Sequence, residues 1–590
     1  MTEIDISIEA IAAFLISEKV FENVNIHNGS RQKDRLPCLV AEKNILDQKC
    51  HLLIEFNSTF PSCLPKFTLK NVADFPLMPH VNSRGVICLF EKDTILVDPL
   101  NPLGIVKASS ERAFKILEEG ISNTNRNEIF QEFEAFLDCI PTCQTAISLL
   151  SEGSSPSIVW MTIFDGKPWY GDSKNQLLRF FRTVSYARFS ENIKFKRVLY
   201  VPLLEDETQK LPLWRWEKWW QLPVLRAVFW RSLNKHGIKW HSFLANRENS
   251  ELPIIFRLPL PNGGNIHFGI TFINDNRGIH PILKRRSDES CFPVKLKRMD
   301  KNYLLPRGGA NTNLFEKNIL LVGCGSVSSC ISQNLVKSGI GKITLIDNDD
   351  LKPENAYRHL LGIKDSLKQK RKSDLLKIQI ESELPNCEVT SISEDFFSIL
   401  KSSFDFAQFD LIILATGNDN LCIASSEYFH VNFPRKPVIY TWLDPLGIGG
   451  HTLLTNLDSH GCYKCIFDND LHNKVSFAEK GQSFSKTMAG CSGRFTDFSF
   501  LDVQETALQT SKISIAVLKK EKTSNYLISW IGDDNKFVSE GYKTSTRFQK
   551  NAEKSRLEKS NFANECCSIC GNASSRSRIP TLKGWHIDNN

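Results

Sequence analysis

The sequence predicts a multidomain chain: an α+β unit, a mixed middle unit and an α/β unit built on a mainly parallel sheet. Three observations carry this. The chain has 590 residues, and at about 150 residues per domain that suggests roughly four folding units, or three with one large one. Residues 1–150 run as a helix, a strand meander and further helices. From about residue 306, strand and helix alternate after a glycine-rich turn, the pattern of a parallel sheet covered on both faces.

Apolar residues make up 41% and charged residues 24%, which excludes wholesale disorder. The net charge, 73 − 66 = +7, is a weak basic bias and gives no argument for nucleic acid. The runs Lys284-Arg285-Arg286 and Lys295 to Lys301 are expected on solvated faces. The N-terminus MTEIDISIEA lacks the basic and apolar regions of a secretory signal. No apolar run approaches 18 residues, so no membrane helix is expected. A cytoplasmic, reducing setting follows, in which the 17 cysteines read as nucleophiles, metal ligands or buried apolar residues.

In order along the chain, Ile4 to Phe21 is apolar at helical spacing, and CLVAEK, HLLIEF and PKFTL read as strands. Ala108 to Leu150 reads as helical. Residues 151–305 hold the strands SIVWMTIF and RVLYVPLL and six tryptophans, Trp214, Trp216, Trp219, Trp220, Trp230 and Trp240, expected to pack in a core or interface. The basic run Lys284 to Arg307 reads as a linker into residues 306–590. Near the end, the polar stretch Lys543 to Glu565 reads as an exposed excursion.

The third unit opens with the strand Ile319-Leu320-Leu321-Val322, then Gly323-Cys324-Gly325-Ser326-Val327-Ser328 and a helical run. Such glycines let backbone N–H groups approach a phosphate at a helix N-terminus. Asp347 ends the next strand, 347 − 325 = 22 residues past the second glycine, at the distance that suits a carboxylate on ribose hydroxyls. Ser328 stands where a dinucleotide fingerprint has its third glycine. Asp347 and Asp349 are followed by Asn355, Arg358 and Lys372. Two cations, an amide and a second acid suit a triphosphate with Mg²⁺ better than a nicotinamide.

The run GCGSVSSCISQNLVKSGIGKITLIDNDDLKPENAYRHLLG resembles the adenylation domain of ubiquitin-activating enzymes and their sulfur-carrier relatives, the ThiF/MoeB family. The resemblance implies a Rossmann-like domain that adenylates the C-terminal glycine of a ubiquitin-like protein. It places Asp347 on ribose, and Asn355, Arg358 and Lys372 on the phosphates. Two positions depart from it. His359 stands where glutamine is usual, and Asp419 lies two residues past the family's Mg²⁺-linked acid.

Cys462-Tyr463-Lys464-Cys465 and Cys567-Ser568-Ile569-Cys570 are two C-x₂-C knuckles, 567 − 465 − 1 = 101 positions apart. Four thiolates satisfy tetrahedral Zn²⁺, and the resembled family holds a structural zinc in this way. Cys566 is a spare beside Cys567. Between the knuckles, Cys491 lies among glycines ahead of a helix expected to bury Val503, Ala507, Leu508, Ile515 and Leu518. A helix N-terminus lowers a thiol pKa. The resemblance implies that Cys491 takes the modifier as a thioester, whereas Cys324 reads as packing.

In the first unit, LLIEFNSTFPSCLPKFTLKNVADFPLMPHVNSRGVICLF places Cys88 just after a glycine turn, which suits a shallow, accessible thiol. The run resembles the ubiquitin-conjugating fold, with its P-x₃-P-x-F step and G-x-I-C-L active site, and implies Cys88 as the conjugating cysteine. The order Pro79-His80 is inverted relative to that family, leaving Asn82 as the candidate oxyanion donor and His80 as a packing residue.

The two resemblances together are those of bacterial activating–conjugating fusion enzymes from antiphage operons. They imply a ubiquitin-conjugating-like domain (1–150), a linker domain (151–305) and an adenylation and activating-cysteine domain with structural zinc (306–590). The implied cofactors are ATP, Mg²⁺ and Zn²⁺. The implied partners are a ubiquitin-like modifier or the C-terminus of a CD-NTase, a target amine and a second copy of the chain, with neither membrane nor nucleic acid. The rival readings are a sulfur-carrier adenylyltransferase, in which Cys88 has no role, and a non-catalytic nucleotide-binding scaffold.

Overall fold

The computed structural model describes residues 7–27, 38–76, 78–82, 84–90, 94–125, 128–138, 140, 142–184, 193–204, 222–234, 241–245, 252–260, 263–272, 280–283, 291–458, 460–468, 470–487, 494–559 and 562–571. Two compact units form: Met1–Leu177 with Ser190–Asp300, and Leu178–Phe189 with Lys301–Asn590.

The first unit opens with the helix Ile8–Ser17, capped by the Ser7 side chain on the Ala10 N–H. A five-stranded antiparallel meander follows: β1 (Asn23–His27), β2 (Cys38–Ile45), β3 (Gln48–Glu55), β4 (Lys66–Leu69) and β5 (Val86–Ile87). Leu46 and Asp47 both take positive φ between β2 and β3, the two-residue turn whose twist matches the strands. Alternation then buries Leu39, Ala41, Cys50, Leu52 and Ile54 on one face. Over that face lies the helix Pro102–Ser122, started by Asn101 and Pro102 and ended by Asn123 in the left-handed region. It buries Val106, Ala113, Ile116 and Leu117.

Two short helices, Glu128–Gln131 and Phe133–Leu137, lead into a closed barrel of β6 (Gln144–Ser148), β7 (Ser157–Phe164), β8 (Lys167–Gly171), β9 (Lys196–Pro202), β10 (Ile254–Pro259), β11 (Asn265–Phe272) and β12 (Cys291–Arg298), in the order β10-β11-β12-β6-β8-β7-β9. β6 comes from the stretch read as helical, and β12 from the run read as a linker. In β12, Val294 and Leu296 are buried, and Lys297 between Leu296 and Arg298 is exposed. Arg298 is 5% exposed rather than solvated. Its guanidinium meets Asp300 at 2.7 Å and Glu152 at 2.7 Å, because a buried cation needs a carboxylate. Trp230 packs against the core outside the barrel wall. The other five tryptophans and Lys284 to Arg286 lie outside the described residues.

The second unit is an eight-stranded sheet in the order β15-β14-β13-β16-β17-β18-β21-β22. The strands are β13 (Asn318–Val322), β14 (Lys342–Ile346), β15 (Glu388–Ile392), β16 (Leu411–Leu414), β17 (Val438–Leu443), β18 (Gly449–Thr455), β21 (Tyr526–Ile531) and β22 (Arg556–Lys559). Pairing is parallel from β15 to β17 and antiparallel beyond. Ile319 to Val322 and Leu411 to Leu414 are at most 1% exposed, as strands covered on both faces require. A separate pair, β19 (Lys486–Thr487) and β20 (Arg494–Phe495), stands apart from the sheet. The stretch Lys543 to Glu565 is no excursion. β22 pairs with β21, and Phe548 and Phe562 are buried anchors. In the helix Phe500–Leu518, Leu508 is 50% exposed, while Val503, Ala507 and a run of small polar residues, among them Thr506, Thr510 and Ser514, form the buried face.

Candidate functional site

Strand order reverses at β13, with β14 on one side and β16 on the other. The crevice at the carboxyl ends of such strands is where open α/β sheets bind ligands. β13 delivers the turn Gly323-Cys324-Gly325 there, and the helix Ser326–Lys337 starts directly after it. Gly323 holds φ at +87°, and a Cβ on it would meet the Ala415 carbonyl oxygen at 2.8 Å. Only glycine lets this turn lie against the end of β16. Gly325 faces open space, where the first N–H groups of the helix await an anion.

β14 delivers Asp347, whose carboxylate accepts the Cys324 N–H at 2.5 Å and the Asp349 N–H at 2.7 Å. Burial pushes its pKa up, and the two backbone donors oppose that rise. Lys372, 12% exposed, reaches Asp349 at 2.9 Å. Arg358 donates to the Thr496 carbonyl at 3.4 Å and lies over the Phe498 ring at 5.1 Å. Its buried Nε has no partner, an orphan donor that fits a phosphate oxygen. Asn355 accepts the Lys352 N–H at 3.1 Å and so caps its own turn. The donors and acids of this edge fit ATP.

His359 stands under the turn, 4% exposed. Its Nε2 lies 2.8 Å from the Cys324 carbonyl and its Nδ1 3.0 Å from the Leu361 nitrogen. Because Nδ1 must accept from that amide, the proton sits on Nε2. Burial lowers its pKa to about 4. Asp419 starts the helix Asp419–Asn432 and accepts the Tyr463 hydroxyl at 2.7 Å. Tyr463 lies inside the first cysteine knuckle, so this acid is tied to the knuckle. Neither role carries a sequence signal.

Cys462, Cys465, Cys567 and Cys570 converge, all buried. Their sulfurs lie 3.9 Å (Cys462–Cys465), 3.6 Å (Cys462–Cys567) and 3.3 Å (Cys465–Cys570) apart. Zn–S bonds of about 2.3 Å in a tetrahedron put sulfurs roughly 3.8 Å apart, so the set fits zinc. Backbone N–H groups of Gly461 and Asn564 point at Cys570 and Cys465 at 3.2 and 3.4 Å, as thiolate ligands require. Cys566 is exposed and takes no part.

In the first unit, Cys88 is exposed between the buried Ile87 and Leu89. Gly85, at φ +78°, makes the preceding turn, and a Cβ there would meet the Leu69 carbonyl oxygen at 2.0 Å. The Asn82 side-chain oxygen accepts the N–H groups of Arg84 and Val86 at 2.9 and 3.0 Å. That oxygen braces the turn and leaves the amide NH₂ as the group that could donate. The Cys88 N–H donates to the His80 carbonyl at 2.7 Å, and Arg112 holds the Leu89 carbonyl at 3.0 Å. His80 is not mere packing: both ring nitrogens face carboxylates.

Cys491 lies outside the described residues. The strands on either side of it, β19 and β20, pair Lys486 with Phe495 and Thr487 with Arg494. β20 thus separates Cys491 from the helix that starts at Phe500, so the helix N-terminus does not follow Cys491 directly.

Among the described residues, no helix is long and apolar enough to cross a membrane. Residues 301–540 match the ThiF family, and residues 13–140 match prokaryotic E2 family B. The chain is 23% identical over 472 residues to the ATP-dependent ubiquitin transferase-like protein Cap2 of Pseudomonas aeruginosa (strain BWHPSA011 / Pa011), covering 77% of this chain and 82% of that protein. Among solved structures it is similar to E. coli MccB with ATP, with 18% identity, a TM-score of 0.32 and coverage of 44% of this chain and 68% of that one. A structure of PaaA matches with 19% identity, a TM-score of 0.27 and coverage of 39% and 64%. The chain is a fusion of a prokaryotic E2-like domain with a ThiF-type, E1-like domain.

Proposed function

We propose that the chain uses ATP to activate the C-terminal carboxylate of a ubiquitin-like modifier or signalling protein and passes it through two thioesters to a target amine. At the coarse level, the paired domains make it an ATP-using ligase–transferase of the ubiquitin-like kind. The carboxylate attacks the α-phosphorus of ATP, giving an acyl-adenylate and pyrophosphate. Asp347 holds the ribose; Asn355, Arg358, Lys372 and the Gly323–Gly325 turn hold the phosphates. Asp349 and Asp419 offer carboxylates for Mg²⁺, which when bound neutralises phosphate charge. The Cys491 thiolate displaces AMP. Cys88 takes the acyl group by thioester exchange, and an amine then attacks it and releases the Cys88 thiol. Asn82 donates its amide to the oxyanion of that step. Each nucleophile divides one hard acyl transfer into easier ones.

The observation that carries this reading is the bond from Arg358 to Thr496. It ties a cation that this reading assigns to the phosphates to the residue just after β20, within the same unit as the glycine turn, which supports a first thiol carried by that unit. The four buried cysteines support a structural zinc. Division into residues 1–150, 151–305 and 306–590, homodimerisation, a cytoplasmic setting and a part in antiphage defence, with a CD-NTase C-terminus as one modifier, belong to the same reading.

The test is non-reducing electrophoresis of the full chain with ATP and candidate modifiers. Cys491→Ala is expected to keep ATP–pyrophosphate exchange and lose every thioester. Cys88→Ala is expected to keep one thioester and conjugate nothing. A Cys491→Ala protein that still charges Cys88 overturns the relay.

A further inference from the structure

The loop that carries Cys88 is held by charges the acyl relay does not use. His80 sits at φ +63°, in the left-handed region that few non-glycine residues occupy. Its backbone N–H donates to Glu132 at 2.8 Å. Its Nδ1 lies 2.7 Å from Glu132 Oε1 and its Nε2 3.1 Å from Glu128 Oε2. A neutral imidazole has one N–H and could satisfy only one of these carboxylates, whereas the imidazolium satisfies both. On its other side, the His80 carbonyl accepts the Cys88 N–H at 2.7 Å. One residue therefore joins the short helices after residue 128 to the backbone of the thiol.

We propose that His80 is a positioning residue for Cys88: clamped as a cation between Glu128 and Glu132, it fixes the bend whose carbonyl anchors the Cys88 amide, and so the direction in which the thioester is presented. This rests on Cys88 being the conjugating cysteine.

The clamp is pH-gated. The Glu132 hydrogen bond, then the charges of both glutamates, hold the imidazole above its ordinary pKa against partial burial. Burial would raise the Glu132 pKa, but the bonds and charge of His80 outweigh it and hold it below the usual carboxylate range. Glu132 and Glu128 are the charged groups with the largest effect on the imidazole. A folded pKa raised above the unfolded value of about 6.5 means the clamp is complete below that pH and is lost as pH rises through the folded value.

Two measurements on the full chain test this. In the first, Cys88 is acylated by exchange with a glycyl-glycine thioester of mercaptoethanesulfonate, and single-turnover discharge onto free lysine is followed. His80→Gln is expected to be about tenfold slower than wild type at about pH 6 and to converge on it at about pH 9; the ratio cancels lysine ionisation. Glu132→Gln is expected to behave similarly. A ratio that stays constant with pH, or no slowing at pH 6, overturns the proposal. The second is hydrogen exchange of the Cys88 amide, which needs no acyl transfer. Its protection, corrected for intrinsic rate, is expected to fall about tenfold in His80→Gln at pH 6, and unchanged protection overturns the clamp. If Cys88→Ala is acylated and discharges like wild type, the conjugating role of Cys88 has failed, and the exchange data still decide on the clamp.

Discussion

Replacing His359 with the glutamine usual in the resembled family should flatten the pH dependence of stability of the nucleotide-binding unit. The imidazole is neutral in the fold, with a pKa lowered by burial to about 4, against about 6.5 in the unfolded chain. Between those values the unfolded state binds the proton and the native state does not, so stability is full above about pH 6.5 and falls as pH drops towards 4. Going from pH 7 to pH 5, this one group costs about 2 kcal/mol, and the limit set by the 2.5-unit gap is roughly 3 kcal/mol. Glutamine can donate to the Cys324 carbonyl and accept from Leu361 without titrating. His359→Gln should therefore lie within about 1 kcal/mol of wild type at pH 7. It should then lose about 2 kcal/mol less on moving to pH 5, because the other carboxylates and histidines titrate alike in both proteins. The assay is urea unfolding, followed by tryptophan fluorescence, at the two pH values. Parallel losses in the two proteins would show that His359 is protonated in the fold and would refute the tautomer assigned above. His359→Leu orphans both backbone groups, and each buried orphan costs about 1–3 kcal/mol, so that protein should be less stable at every pH.

Three further outcomes are expected. About one zinc per chain should co-purify with the second unit's four cysteines, and chelation or Cys465→Ser should lower its melting temperature; metal analysis of active protein is the check. Arg358→Ala and Asp347→Ala should each cut ATP–pyrophosphate exchange at least a hundredfold with the fold intact by circular dichroism, and near-normal exchange would remove either residue from the nucleotide site. Gly85→Ala should destabilise the first unit by about 1–3 kcal/mol, read from urea midpoints, because a Cβ would sit 2.0 Å from the Leu69 oxygen at a φ of +78°.

What was legible in the sequence is what depends on short spacing. The Gly323–Gly325 turn and Asp347 lie one strand and one helix apart, so their meeting follows from local geometry. Cys88 follows a glycine turn in an alternating strand, and alternation turns its thiol outward. The zinc knuckles were legible as pairs, and Cys567 is set apart from Cys566 only by which thiol faces inward. Other features depend on pairing at a distance. β12 reads as a basic linker because Lys295 and Lys297 mask the alternation of Val294 and Leu296, and only the barrel shows Arg298 facing two carboxylates. Lys543 to Glu565 reads as exposed because its anchors, Phe548 and Phe562, are single residues in polar surroundings. Leu508 reads as buried on helical periodicity, but small residues carry the contact in that helix. The partners of His80, Asp419 and Arg358 lie 44 to 138 residues away in the chain, beyond any local pattern.

The pairing that closes the barrel also sets a timetable. Val294 of β12 pairs with Gln144 of β6, 294 − 144 = 150 residues earlier in the chain. During synthesis at about 5–20 residues per second, β6 waits roughly 8–30 s for that partner. The five strands of the first sheet each pair with the next strand in sequence and can assemble as they emerge. β6 gains β8 early, through Ile147 and Trp169, but its other edge stays open for the whole interval. A nascent chain of this length therefore passes through a stage at which its first sheet is complete while one edge of β6 is still unpaired, and an unpaired edge is a template for pairing with other chains.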